Sequence, residues 1–252
     1  MLTGNLTPPP GTGALVVGPP NVDIDLNGFT ITGAGGPGGD GIFVGPALGV
    51  TIHDGVITGF GGPGIAAAPG PELKVFKLRV GGNGAGITGG FDCLIVDNTI
   101  VGNAGFGVDA RRCKIENNVI SDNGDTGITG DTNVIVHNVI AMNGFGLGGG
   151  GGNGDITVGP GSAVNDNSVS FNIGIGAGLA ITAGYTNNTF NANTIQDVSL
   201  FVPAAPAPHP TSGFFNLCTG VPGPAPVACP RGRERRSPHS SSPPRAHPPG
   251  TR

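Results

Sequence analysis

Cys93–Val108 reads CLIVDNTIVGNAGFGV, Cys113–Ile128 reads CKIENNVISDNGDTGI, and Asn133–Leu147 reads NVIVHNVIAMNGFGL. With the Ile of each Asn-x-Ile as a zero point, Ile100, Ile120 and Ile140 lie twenty residues apart. Asn98, Asn118 and Asn138 sit two places before it, and Asn103, Asn123 and Asn143 three places after. A short period built of β-branched runs, with Gly and Asn between them, predicts stacked coils rather than one closed core. Helix is excluded by cost. Gly is about 1 kcal/mol worse than Ala in a helix interior, and the chain holds 50 Gly.

Each period has room for three short strands and three turns. Successive coils then pair in parallel about 4.8 Å apart, and parallel crossovers are overwhelmingly right-handed. The expected fold is all-β: a single-stranded right-handed parallel β-helix of about eight coils, with a disordered C-terminal tail. Outside the trio, zero points are expected at Ile31, Ile57, Val80, Val169 and Ile195. A lead-in covers 1–13, the β-helix 14–202, and a Pro/Ser/Arg-rich tail 203–252. Such a tail buries too little apolar surface to offset its ordering entropy.

The repeated Asn has a physical role in this fold. One amide at the same corner of every coil can donate to the coil on one side and accept from the coil on the other, satisfying groups that would otherwise be buried unpaired. The expected ladder is Asn98, Asn118, Asn138, Asn167 and Asn193. Cys93 and Cys113 share another register, seven before the zero. They are expected as stacked thiols in the core wall, with a disulfide there judged strained.

Charge restricts the partners. Residues 1–202 carry six basic against fifteen acidic side chains, and 203–252 carry six Arg against one Glu. So acidic a body excludes nucleic acid as the expected ligand. No run approaches the roughly 20 apolar residues of a membrane-spanning helix. The opening MLTGNLTPPPGTG has neither a basic start nor an apolar h-region.

DLNGFTITG, VTIHDGVITGFGGPGI and the NTI/NVI coils resemble the right-handed β-helix repeats of the pectin-lyase-like superfamily. The nearest style is that of carbohydrate-binding and sugar-hydrolase modules and periplasmic copper-binding proteins. The resemblance spans about Leu15 to Ile195. It implies a uronate or polysaccharide ligand and a secreted, periplasmic or cell-surface location, with a leader missing from this sequence. It supplies no active site by motif. The N-T-D, D-D and R-I-K motifs of polygalacturonases and the Asp-Pro-His triplet of mannuronan epimerases are absent, and no calcium-and-Arg set of pectate lyases transfers.

From the residues themselves, the sheet begun by the Gly-Ile steps should present Thr88, Asp109 and Thr129 outward. Arg111 and Asp131 share a register just beyond, with Arg112 beside them and Asp122 and Asp125 in the loop leading in. Arg binds carboxylates bidentately, and a neighbouring carboxylate can take a proton α to one. The expected catalytic set is therefore Asp109, Arg111, Arg112 and Asp131, with Thr88, Thr129, Asp122 and Asp125 binding substrate. The competing reading is a solvated ion pair between coils on a structural, non-catalytic surface protein. A second file, Asp54, Lys77, Asp97, Asn117, His137 and Asp166, mixes signs as a solvated corner does. No cofactor and no metal set is read. GGPGGDGIF at 35–43 matches a calcium repeat but lacks an intact second copy, and His53 and His137 are too few for copper.

Overall fold

The computed structural model describes residues 1–70, 72–145, 155–159, 161–173 and 184–193, with short strand backbones at 178–179, 199–200 and 217–219. Among the described residues there is no α-helix, and hence none long and apolar enough to cross a membrane. The strands form two parallel sheets, one nine-stranded and one fifteen-stranded. In the larger sheet the nine-residue strands Val50–Thr58 and Leu73–Gly81 bend round a corner, so two walls of the solenoid share one hydrogen-bonded sheet.

The register follows the repeat. Ile31 pairs with Ile57, Ile57 with Val80, Val80 with Ile100, and the column runs on through Ile120, Ile140 and Val169 to Phe190. Every member is buried. A second buried column of Ile42, Ile65, Ile87, Val108, Ile128 and Ile156 lines the nine-stranded wall. A Gly precedes every member of that column except Ile156, and it is a matter of space. A Cβ on Gly86 would lie 2.2 Å from the carbonyl of Gly107 and 2.7 Å from Cγ2 of Ile100.

The coils from Asp92 to Asn143 turn at three corners built alike. A residue in the left-handed region is followed by a buried polar or sulfur side chain. Asp97, Asn117 and His137 (φ 56°, 56° and 57°) precede Asn98, Asn118 and Asn138. Gly102, Asp122 and Met142 precede Asn103, Asn123 and Asn143, and Asp92, Arg112 and Thr132 precede Cys93, Cys113 and Asn133. The mixed-sign file of the sequence is thus one of these corners. Its residues share a backbone conformation that Asn and Asp tolerate best.

The chain carries two Asn ladders. One runs Asn98, Asn118, Asn138, Asn167, Asn188; the other runs Asn83, Asn103, Asn123, Asn143, Asn172, Asn193. This corrects the last coil. Phe190, not Ile195, holds the zero register, so Asn188 is the member of the first ladder in this coil and Asn193 belongs to the second. Ile195 lies outside the described residues.

Cys93 and Cys113 are joined by a disulfide, which overturns the expectation of stacked thiols. Direct coil-on-coil stacking sets their Cα atoms 4.5 Å apart, inside the range of about 4.4–6.8 Å that disulfides span. The lead-in is also more than a leader into the coils. The Leu6 backbone bridges Ile31 in parallel, and the side chains of Leu2 and Leu6 pack on the core. At the other end, Leu217–Thr219 pairs with Thr189–Asn191. The sheet therefore continues into the stretch expected to be disordered; the remainder of 203–252 lies outside the described residues.

Candidate functional site

The outer face of the nine-stranded sheet carries one continuous column. Val16, Phe43 and Ala66 give way to Thr88, Asp109, Thr129 and Thr157, each paired with the next. Coil spacing therefore sets Thr88, Asp109 and Thr129 at consecutive rungs of a flat wall, as alternation along the strands requires. The register shifts just after Asp109, and Arg111 pairs with Phe91. The cause is Gly89–Gly90, both at positive φ. They make the run from Thr88 to Cys93 one residue longer than that from Asp109 to Cys113. Bulges of this kind re-aim the side chains that follow.

Asp109 is half-buried, and burial pushes its carboxyl above the ordinary aspartate value; Arg111 opposes that shift and Asp131 adds to it. Arg111 Nε lies 3.9 Å from Asp131 Oδ2, with both side chains more than half exposed. The structure thus brings Asp109, Arg111 and Asp131 together, flanked by Thr88 and Thr129.

Arg112 and Asp125 are engaged elsewhere, and Asp122 lies at a corner. Arg112 is a corner residue (φ 54°). It donates from Nε and Nη2 to both carboxylate oxygens of Asp92, at 2.9 and 2.7 Å, and its guanidinium lies 4.9 Å from the Phe91 ring centre. That bond holds the Asp92 carboxyl below its usual value. Asp122 is an exposed corner residue (φ 55°), and Asp125 accepts from the N–H of Thr126 at 2.8 Å. None of these facts was legible from spacing, because each depends on which residue takes the left-handed corner.

Lys114, Glu116 and His137 lie close together on the larger sheet. Glu116 is held low in pKa chiefly by its hydrogen bond with Lys114, 2.5 Å away, and lies 3.9 Å from His137. A cavity of about 300 Å³ on the same sheet is lined by Thr51, Glu72, Lys74, Asp92 and Leu94. In the calcium-like stretch, Asp40 is raised in pKa by partial burial. Among the described residues, Asp40 belongs to no group of three converging acid, His or Cys donors.

The sequence profile of the family described as "Right handed beta helix region" matches residues 40–195. The chain belongs to that family. No curated protein sequence matches this β-helix protein significantly. Solved structures of similar chain path include an alginate lyase from Paenibacillus sp. str. FPU-7, at 13% identity and a TM-score of 0.47, covering 86% of this chain and 96% of that one. The A-module of Azotobacter vinelandii mannuronan C-5 epimerase AlgE6 matches at 13% identity and TM-score 0.40, covering 85% and 77%. The AlgE4 A-module matches at 14% and 0.39, covering 83% of each chain.

Proposed function

We propose that this β-helix protein binds an acidic polysaccharide along the Thr88–Asp109–Thr129 wall, outside the cytoplasm. The observation that carries the reading is Asp109, a half-buried carboxyl of raised pKa on an otherwise open face, next to Arg111. Successive sugars of an extended chain would meet successive coils. Arg111 would exchange its loose contact with Asp131 for a uronate carboxylate, since charge-assisted Arg–carboxylate bonds are short and bidentate. Asp109, once ionised, would then sit beside the proton α to that carboxylate, the position required for lyase- or epimerase-type chemistry. Because the body is acidic, one guanidinium decides whether a polyanion is accepted. The Cys93–Cys113 disulfide supports an oxidising compartment.

The experiment is binding to polyuronates at low salt, followed by a search for unsaturated ends or epimerised sugars. Arg111→Glu should weaken binding about tenfold or more, the scale of one lost charge-assisted bond. Arg112→Glu, whose arginine is already committed to Asp92, should weaken it far less. Binding that survives Arg111→Glu/Arg112→Glu together would sink the site.

A second reading, a structural surface protein without sugar chemistry, is favoured by one observation. The exposed charges nearest the wall already pair, Arg112 with Asp92 and Arg111 with Asp131. Wild-type protein that retains no polyuronate would put this reading ahead.

A further inference from the structure

On the larger sheet, two coils at the start of the solenoid bring Asp25, His53 and Asp54 together, although 28 residues separate Asp25 from His53 in sequence. Asp25 and His53 face each other across paired strands. Asp54 is the left-handed corner residue (φ 57°), and the turn folds its carboxylate back beside the preceding imidazole. One donor atom from each of the three lies within 4.8 Å of the others.

The imidazole is fixed. Its ring stacks on Phe76, 4.7 Å between centres and 6° from parallel. Nε2 lies 3.0 Å from Asp23 Oδ1, an acceptor for its proton in the tautomer that carries the proton on Nε2. Nδ1 then faces two carboxylates, Asp54 Oδ2 at 2.7 Å and Asp25 Oδ1 at 3.9 Å. Two carboxylates against Nδ1 call for a positive charge between them: either a proton on Nδ1, which makes the 2.7 Å contact a hydrogen bond of an imidazolium, or, with Nε2 carrying the ring proton, a cation held by three lone-pair donors.

We propose that Asp25, His53 and Asp54 form a divalent transition-metal site, with zinc the ion their donors suit. Neutral imidazole nitrogen with carboxylate oxygen is a zinc donor set, and bonds of about 2.0–2.1 Å in a tetrahedron place neighbouring donors about 3.3 Å apart. The observed 2.7 and 3.9 Å separations bracket that value, so small side-chain rotations complete the geometry. Asp23 supplies the outer carboxylate that fixes the ring tautomer of a metal-bound histidine. Three protein ligands leave the fourth position to water or to a ligand from solution. The ion would pin the first coil to the next, at the end of the solenoid remote from the Asp109 wall's C-terminal rungs.

The test uses the full, disulfide-intact chain, stripped with chelator and titrated with Zn²⁺ and Co²⁺. The expected results are one ion per chain, visible Co²⁺ bands of a tetrahedral N/O site, and a melting temperature that rises with Zn²⁺ concentration by mass action. His53→Gln and Asp54→Asn should each weaken binding more than tenfold, and Asp23→Asn by about 10–100-fold, the usual effect of removing an outer-shell carboxylate. His137→Gln should bind as wild type does. Nitrogen NMR of the zinc-loaded wild type should show Nδ1 metallated and Nε2 protonated. Absence of binding, full binding by His53→Gln, or a His53 ring protonated on both nitrogens at saturating zinc would each overturn the site. The NMR arm needs no variant, so it decides the matter even if His53→Gln fails to fold.

Discussion

Asn118 Oδ1 accepts two hydrogen bonds from Asn98, one from the backbone N–H and one from Nδ2, each at 3.0 Å. Asn118 in turn donates its own N–H and Nδ2 to Asn138 Oδ1 at 2.9 and 3.0 Å. Each rung therefore satisfies the corner backbone of a neighbouring coil as well as the amide itself.

Asn118→Ala should destabilise the protein by about 2–3 kcal/mol, because it strands the Asn98 N–H and the Ile95 carbonyl in the coil before and takes one donor from Asn138 Oδ1 in the coil after. Thr99→Ala, on the half-exposed neighbouring position, should cost well under 1 kcal/mol. Urea titration of both variants decides it. Equal midpoints would remove the ladder from the list of stabilising elements.

The Cys93–Cys113 bond closes a loop with a sequence separation of 20. On the chain-entropy scale a loop of this size is worth about 3 kcal/mol. Reduction, or Cys113→Ser, should lower the melting temperature accordingly. Peptide mapping without reductant should recover the two cysteines as one linked fragment. Alkylation of both in the denatured, unreduced protein would contradict the bond.

Asp109 gives a signed pH dependence. Its folded-state carboxyl holds the proton more tightly than the unfolded chain does, with an ordinary value of 3.8. The stability it allows is therefore fully present below that value and is lost as pH rises through the folded pKa. Asp109→Asn removes the loss. The variant should melt higher than wild type at about pH 7 and no higher at about pH 3. A difference that does not change with pH would mean that burial is not what raises this carboxyl.

How much could be read from the chain alone follows from these corners. The trio of Ile100, Ile120 and Ile140 was legible because a stacked coil must repeat its buried residue and its corner amide in every turn. The same rule misread NTFNANTI, where Phe190 does the work of Ile and the next Asn-x-Ile is a decoy. Arg111 and Asp131 could be placed together because both count from a regular register. Arg112 could not, since its left-handed backbone turns it towards Asp92 in the coil before. Asp25 and His53 were hidden for another reason. The 26-residue interval between Ile31 and Ile57 breaks the twenty-residue count, so their apposition depends on where the extra residues loop out. The disulfide turned on a distance between coils that spacing does not contain.

The corner before the second ladder offers a last prediction, one in which the protein should gain stability. This register holds Gly82, Gly102, Asp122, Met142 and Phe171, all at positive φ between 54° and 68°. Gly and Asp fit that conformation, whereas an ordinary L-residue there costs about 1–2 kcal/mol. Met142 and Phe171 incur the cost with little return, since their side chains are 43% and 57% exposed. Asn tolerates the left-handed region and, unlike Gly, adds little freedom to the unfolded chain. Met142→Asn and Phe171→Asn should each raise stability by about 0.5–1 kcal/mol, read as a higher urea midpoint with an unchanged slope. A lower midpoint in both would show that these side chains are covered by something in solution, and that their contacts outweigh the backbone strain.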